Sequence, residues 1–239
     1  MRLSGSKIHL AYACGYAFRP DVNPAEREPG AAAMLGNEVH DGADALVKGT
    51  YEPSMYDAES RKYIEQVRLW LEDVGKPTAS EIAVIYDTEK DTARQVFPKK
   101  HRDYGPTSPM EIPTTLDLVW RGPNSVVVRD LKSGSKQHAH REQLVIQALA
   151  VSRLYDVPAA EVGFLFARKT KCVAEPLEAL TAEDLDAEAW RASALMRSLP
   201  IAQPQPGRHC WFCDARPICP AHDEPSERDR EENACSTQL

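Results

Sequence analysis

Two neighbouring strand-like segments, each carrying an acidic residue, constrain this chain more than any other feature of its sequence. Segments 114–120 and 125–131 are rich in β-branched and apolar residues, and the Gly-Pro-Asn turn at 122–124 between them is typical of a hairpin. Asp117 lies inside the first segment and Asp130 near the end of the second. A carboxylate in a core strand costs free energy unless it is paired or binds a metal. The hairpin therefore predicts a place where two carboxylates meet.

A lysine follows the second carboxylate closely in the sequence. Lys132 is two residues after Asp130, so both side chains lie on one face of an extended strand. Two acidic oxygens suit a hard cation such as Mg²⁺ or Mn²⁺. Together with a lysine, they can bind the ion, activate a water and neutralise a phosphate. The alternative is a surface hairpin that carries ordinary charges.

The pattern around the hairpin predicts an α/β fold with one central mixed sheet flanked by helices. Apolar residues recur at helical spacing from about Met34 to Gly49, and a second amphipathic helix is predicted at 63–74. Further predicted helices cover 139–155 and 181–199, and the predicted strands outside the hairpin cover 80–86, 95–97, 162–167 and 172–174. The last helix opens with Thr181-Ala-Glu-Asp184, which predicts a capping box.

Composition excludes several other classes of protein. The chain of 239 residues is 42% apolar and has six cysteines, which is too apolar for a disordered chain and too poor in cysteine for a disulfide scaffold. A net charge of −7 argues against a histone-like packager, but not against an enzyme with a local basic groove. The acidity lies largely in residues 223–239, which we expect to form a disordered tail.

No apolar run approaches the about 20 residues that a membrane-spanning helix needs. The short apolar stretch near the start is also a poor match to a signal peptide. We therefore expect a cytoplasmic protein with no membrane association and with reduced thiols.

Two further segments offer polar groups to the carboxylates. Gly36-Asn-Glu-Val-His40 lies on the first amphipathic helix, where His40 is a candidate metal ligand. Gln143 and Gln147 lie one turn apart on one face of the helix that follows Lys132. The alternatives are a solvated histidine and an ordinary polar helix face.

The order of these residues resembles the RecB-like branch of the PD-(D/E)XK nuclease superfamily. Gly-x-x-x-His, Asp, Asp-x-Lys-x-Gly and Gln follow one another over residues 36–147. The resemblance implies a restriction-endonuclease-like core and metal-dependent phosphodiester cleavage. It also implies that the divalent cation is held by His40, Asp117, Asp130 and the backbone carbonyl of Leu131.

The same resemblance implies roles for the remaining motif residues. Lys132 would position or activate the water, and Gln143 would orient the lysine or the DNA backbone. The family usually has a tyrosine four residues after this glutamine, where the present chain has Gln147. Gln147 can still donate a hydrogen bond to a phosphate, but a stacking or phenolic role is lost.

Three cysteines near the end form the spacing C-x₂-C-x₅-C and suggest a thiolate metal site. They are Cys210, Cys213 and Cys219, and Cys14 is the best candidate for a fourth ligand. Cys172 and Cys235 are interpreted as non-ligands. The CRISPR-associated RecB-like exonucleases and the AddB-type nuclease domains resemble this chain, with one cysteine before the core and three after it. This resemblance implies a [4Fe–4S] cluster that joins the two ends, with structural zinc or unligated cysteines as the alternatives.

Three basic clusters offer phosphate contacts: 99–102, 132–141 and 168–171. In the second cluster, which adjoins the predicted site, the candidate nucleic-acid contacts are Lys136, His140, Arg141 and Gln147. We expect a nuclease core over 1–203 and a Cys-rich module over 204–222 joined to Cys14.

The function that these features predict is a Mg²⁺- or Mn²⁺-dependent DNA exonuclease acting on single-stranded ends. The expected partners are DNA and proteins of CRISPR adaptation, recombination or phage DNA processing. The alternative is a non-catalytic DNA-binding or end-recognition subunit of an integration or recombination complex on the same scaffold.

Overall fold

A computed structural model describes residues 3–24, 30–97, 104–133 and 139–221 of the chain. The α-helices are α1 (Ile8–Ala13), α2 (Ala31–Lys48), α3 (Ala58–Val74), α4 (Arg141–Tyr155) and α5 (Ala182–Ser198). The strands are β1 (Ala79–Asp87), β2 (Thr92–Val96), β3 (Glu111–Arg121), β4 (Ser125–Lys132), β5 (Ala159–Phe166), β6 (Val173–Ala174) and β7 (Glu178–Leu180). Lys136, the basic cluster 99–102, Cys235 and the predicted tail 223–239 lie outside the described residues.

The strands form one mixed sheet in the order β2-β1-β3-β4-β5-β6. Both β6 and β7 pair with β5 on the side away from β4, with β6 at the end of β5 and β7 near its beginning. The strand β4 pairs with β5 in parallel, with α4 between them in the chain, whereas the other pairs are antiparallel. The predicted mixed sheet flanked by helices is confirmed. The parallel pairing needs the long connection that α4 supplies, since parallel strands cannot be joined by a tight turn.

Helices cover both faces of the sheet. The larger hydrophobic cluster contains Val126 and Val128 of β4 together with side chains of α1, α4 and α5. The smaller cluster contains Leu131 of β4 with side chains of α2 and α3. Residues 143–152 of α4 are all buried, which explains why this helix is apolar nearly all round instead of amphipathic.

Local sequence signals account for the helix boundaries. The Asp57 carboxylate accepts a hydrogen bond from Ser60 N (2.6 Å) at the start of α3. The predicted capping box of Thr181 and Asp184 is present at the start of α5. Helix α2 ends at Gly49, whose φ of +74° is the left-handed conformation that glycine adopts most readily.

The Cys-rich segment packs onto the same core. Its described part contains two short 3₁₀ turns, Arg208–Phe212 and Arg216–Ile218. Ala215 between them is fully buried in the larger hydrophobic cluster. Lys7 also reaches this segment, with its Nζ 3.3 Å from the Asp214 carboxylate. Among the described residues, no helix is both long and apolar enough to cross a membrane.

Candidate active site

The hairpin of β3 and β4 places the two strand carboxylates side by side. Leu118 is opposite Arg129 in the register, so the next position along the strands brings Asp117 opposite Asp130. Both side chains are buried, at 5% and 2% exposure. The Asp117 Oδ2 atom accepts a hydrogen bond from Leu131 N (2.7 Å), which ties the first carboxylate to the backbone beside the second.

Three side chains surround Asp130. Its Oδ1 atom accepts hydrogen bonds from Gln143 Nε2 (2.6 Å) and Gln147 Nε2 (2.9 Å), both from α4. Its Oδ2 atom lies 2.7 Å from Lys132 Nζ, and Lys132 in turn donates to Gln143 Oε1 (3.0 Å). The amide of Gln143 therefore joins the lysine and the carboxylate into one closed network.

The two carboxylates differ in acidity. Burial raises the pKa of Asp130, the Lys132 ammonium opposes this shift and the neighbouring Asp117 adds to it, so the pKa lies above its usual value. Burial alone would also raise the pKa of Asp117, but His40 holds it below its usual value. Neighbouring acids whose environments push their pKa values apart are typical of catalytic carboxylate pairs.

His40 extends from α2 between two carboxylates. Its Nδ1 atom is 2.8 Å from Glu81 Oε1 and 3.5 Å from Asp117 Oδ1. Burial lowers the pKa of His40, but these carboxylates outweigh burial and raise the pKa from 6.5 to about 10. Without a bound cation, the imidazole is therefore protonated at neutral pH and neutralises the acidic groups around it.

Glu81 is a site residue that the sequence reasoning missed. On either side of Glu81 in β1, Ser80 pairs with Leu118 of β3 and Ile82 pairs with Leu116. Glu81 therefore lies opposite Asp117. Its φ of +47° is unusual for a non-glycine residue in a strand, and such conformations cost about 1–3 kcal/mol and cluster at functional sites. The available signal was an acidic residue in an apolar strand, the same argument that selects Asp117.

One set of three possible metal ligands is closely grouped. Among the described residues, ligand atoms of His40, Glu81 and Asp117 all lie within 4.8 Å of one another. The predicted third ligand, Asp130, adjoins this group across the hairpin. The structure thus brings the predicted His40, Asp117, Asp130, Lys132 and Gln143 into one region.

A cleft of about 430 Å³ opens onto these residues. The 3₁₀ turn Gly5–Lys7 lines one wall, where a Cβ on Gly5 would lie 2.4 Å from Thr114 Oγ1. Tyr104 lies at the same cleft, and its hydroxyl is 2.6 Å from Thr115 Oγ1. The close approach at Gly5 excludes any larger residue there, and it brings the chain near its start against β3.

The predicted nucleic-acid contacts lie in different places. Gln147 is 1% exposed and donates to Thr115 O (2.9 Å) as well as to Asp130, so its burial favours orienting the carboxylate over contacting a phosphate. Arg141 is exposed and pairs with Glu178. His140 stacks on His9, with ring centroids 3.5 Å apart.

Four cysteines from the two ends of the chain come near one another. Burial raises the pKa of the Cys213 thiol, and the thiols of Cys14, Cys210 and Cys219 add to that shift, so each of these three lies within electrostatic range of Cys213. Backbone N–H groups donate to two of the sulfurs, at 3.3 Å to Cys14 Sγ and 3.4 Å to Cys210 Sγ. Within the described ranges, the four thiols do not form a ligand group as compact as that of His40.

Cys172 lies apart from these four residues. It is buried in the smaller hydrophobic cluster, and burial raises the pKa of its thiol to about 11.

The fold and the buried carboxylate site agree with the family comparison. The model of the PD-(D/E)XK nuclease superfamily matches residues 2–220, so the chain belongs to this superfamily. No curated protein matches the chain. A solved structure, described as the crystal structure of SSO0001, is 17% identical over 77% of this chain and 85% of that chain, with a TM-score of 0.33. The superfamily prediction is confirmed, and the RecB-like branch stays a prediction.

Proposed function

We propose that this protein is a divalent-metal-dependent DNA nuclease that hydrolyses phosphodiesters, acting as an exonuclease on single-stranded ends. The observation that carries the proposal is the buried network of Asp130, Lys132 and Gln143 beside Asp117, at the floor of an open cleft. A lysine and a carboxylate joined in this way are costly to bury without a chemical use, because each must give up its hydration.

The residues present fit a hard divalent cation. Two buried carboxylates and an imidazole offer oxygen and nitrogen ligands, which suit Mg²⁺ or Mn²⁺. Among the described residues, the buried Oδ2 atom of Asp130 has no hydrogen-bond donor apart from its ion pair with Lys132. His40, Asp117 and Asp130 would hold the cation with the Leu131 carbonyl, and Glu81 is close enough to join them.

A cation at this position supplies a Lewis acid that activates water and stabilises charge on the phosphate. The protein groups do the positioning. Gln143 holds the Lys132 ammonium against Asp130, where it can neutralise a phosphate in the cleft and orient the attacking water. Gln147 holds the Asp130 carboxylate from the other side, with its own amide fixed by Thr115 O.

The four clustered cysteines support a second metal centre with a structural role. Cys14, Cys210, Cys213 and Cys219 would hold a [4Fe–4S] cluster, with zinc as the less favoured occupant. The hydrogen bond from Gln205 N to Cys14 Sγ and the ion pair of Lys7 with Asp214 both join the beginning of the chain to the Cys-rich segment. An anaerobic preparation should be brown with iron and sulfide, and a colourless protein with one zinc would overturn the cluster.

A second function is supported by Gln147. Because this residue fills the place of the family tyrosine, the chain could serve as a non-catalytic DNA-end-binding subunit on the same scaffold. CRISPR adaptation, recombination or phage DNA-processing proteins would then be its partners, as they would be for the nuclease.

A nuclease assay distinguishes the two functions. Purified protein is incubated with Mn²⁺ and end-labelled single- or double-stranded DNA, beside Asp117→Asn and the matched surface variant Asp73→Asn. We expect wild type and Asp73→Asn to shorten single-stranded DNA and Asp117→Asn to be inactive. DNA binding without cleavage by metal-loaded wild type would select the non-catalytic function.

A further inference from the structure

A second pocket, of about 550 Å³, lies between the first half of α3 and the loop that follows β5. Tyr51, Arg61, Lys62, Glu65 and Lys169 are among the residues that line it. None of its lining residues belongs to the cleft over Asp117 and Asp130. It is therefore a separate feature of the surface.

The pocket is positively charged. Arg61, Lys62 and Lys169 contribute three cations against one acid, Glu65. The Glu65 carboxylate accepts two hydrogen bonds from Arg68, outside the pocket lining, at 2.9 Å and 2.5 Å. Its charge is therefore directed away from the pocket cations, and an anion entering the pocket meets a net positive field.

Lys169 is held by an ion pair that a ligand can replace. Its Nζ is 2.7 Å from Glu59 Oε1, and both side chains are about half exposed, at 52% and 53%. Exposed pairs of this kind contribute little to stability, about 0–1 kcal/mol, because water and salt screen them. Exchanging Glu59 for a phosphate at Lys169 is therefore inexpensive.

An aromatic surface adjoins the cations. The ring of Tyr51 lines the pocket and stacks on Tyr56, with centroids 5.4 Å apart and planes inclined by 26°. A nucleobase can extend such a stack, and base–aromatic stacking contributes about 1–3 kcal/mol per base. Cations beside an aromatic ring are the combination by which proteins bind single-stranded nucleic acid.

The loop that carries Lys169 follows β5 and begins beside the end of β4. Ala167 N donates to Lys132 O (2.9 Å), so the loop leaves the sheet beside the lysine of the active site. Arg168 covers the Phe166 ring at 5.4 Å, and Lys171 follows two residues after Lys169. The loop that runs from the end of β5 to the second pocket therefore carries three cations, Arg168, Lys169 and Lys171.

We propose that this pocket is a nucleotide-binding subsite that holds single-stranded DNA whose scissile phosphate lies in the cleft. Arg61, Lys62 and Lys169 contact the phosphates, and a base stacks on Tyr51. The inference rests on the proposed function, since it takes DNA to be the substrate of the cleft.

The test measures DNA binding separately from cleavage. Fluorescence anisotropy in the presence of Ca²⁺ measures the affinity for labelled oligo-dT. A strand of about 30 nucleotides is long enough to span more than one subsite, and a strand of about 6 nucleotides covers only one. The variants are Arg61→Glu/Lys62→Glu, Tyr51→Ala and Tyr51→Phe, with the double reversal Lys76→Glu/Arg197→Glu, outside both pockets, as the matched charge control. Thermal melting shows that each variant is folded.

We expect the double charge reversal to weaken binding of the long strand about tenfold or more and to reduce its salt dependence. Tyr51→Ala should weaken it about fivefold or more, whereas Tyr51→Phe keeps the ring and binds as wild type. Cleavage of the short strand with Mn²⁺ should be unchanged in all of them. Unchanged affinity and salt dependence in the folded double variant would overturn the subsite.

The outcomes separate this inference from the nuclease proposal. If the double variant loses affinity for the long strand but not for the short one, and wild type does not cleave DNA, the subsite is supported and the nuclease proposal is rejected. Labelled dTMP distinguishes a free nucleotide from a DNA strand. If the double variant loses dTMP binding but binds the long strand as wild type does, the pocket is a mononucleotide site and the proposed strand path is wrong.

Discussion

The two candidate metal-holding regions of this molecule are built in opposite ways. The carboxylate site takes its side chains from β1, β3, β4, α2 and α4, and hydrogen bonds connect Asp130 to both glutamines of α4. The four clustered thiols are on loops and short 3₁₀ turns, are half-buried and are tied by weak N–H···S contacts. The fold therefore orients the first set before any ion binds. The second set would depend far more on a ligand, and we expect that a metal bound there contributes to folding.

The largest effect we expect is on catalysis. Asp130→Asn keeps the shape of the side chain but removes the charge that pairs with Lys132 and would bind the cation. The turnover number should fall by on the order of 10³-fold, with little change in melting temperature. Single-turnover cleavage with Mn²⁺ measures the effect, and Asp73→Asn on the exposed face of α3 is the control. A variant that keeps a tenth of wild-type activity would show that Asp130 is structural.

The second expected effect is on stability. Cys14→Ser removes one of four proposed ligands and opens a closed loop of nearly the whole chain. The bound metal should be lost, and the free energy of unfolding should fall by about 3 kcal/mol or more. Metal analysis and denaturant unfolding measure both changes. Cys172→Ala, at the buried cysteine outside the cluster, should keep the full metal content. Equal metal content in Cys14→Ser would remove Cys14 from the ligand set.

A smaller effect should show whether Gln147 orients the Asp130 carboxylate or contacts the DNA directly. Gln147→Leu removes a buried amide that donates to Asp130 Oδ1 and to Thr115 O. We expect a loss of about 1–2 kcal/mol in stability. Turnover should fall about tenfold, with the KM for DNA unchanged, because Gln147 orients the carboxylate and is not exposed to the substrate. A raised KM with unchanged turnover would instead indicate a direct DNA contact. Gln95→Leu on the exposed strand β2 is the control.

The smallest effect concerns the stacked histidines His9 and His140. Burial lowers the pKa of His9 to about 4, and His140 adds to the shift. The unfolded chain, with a pKa near 6.5, therefore binds the proton more readily between pH 6.5 and 4. Stability contributed by neutral His9 is present above pH 6.5 and is lost as the pH falls through this interval.

Because His9 is only partly buried, solvent screening reduces this effect to about 1 kcal/mol. His9→Phe keeps a ring on His140 but cannot be protonated, so its unfolding free energy should vary less between pH 6.5 and 4 than that of wild type. Denaturant unfolding at both pH values measures the difference. Equal pH dependence in the two proteins would assign the acid sensitivity to other groups.

Much of the fold could be predicted because its signals are local. The apolar periodicities predict α2 to α5 and β1 to β5 to within a few residues, and the capping box of Thr181 appears as expected. The short strand β7 was not predicted. It has only three residues and its pairing with β5 depends on chain that is distant in sequence.

The candidate site divides in the same way. Asp117, Asp130 and Lys132 share one hairpin, where the spacing of residues predicts which side chains meet. Glu81 could not be assigned in this manner, because its position depends on a left-handed backbone conformation and on pairing with β3. Gln147 was predicted as a surface contact, since a helical pattern does not reveal which face the rest of the protein covers.

By itself, the sequence determined the order of helices and strands, the acidic hairpin with its lysine and the spacing of the three late cysteines. Each of these depends on neighbours within a few residues, where covalent geometry limits the choices. Only the tertiary structure decided that His40 and Glu81 meet Asp117, that Gln143 and Gln147 support Asp130 and that Gln205 N donates to Cys14 Sγ. Those contacts join segments that are distant in sequence. They form because burial of the apolar helix faces removes nearby polar groups from water, so these groups must bind one another.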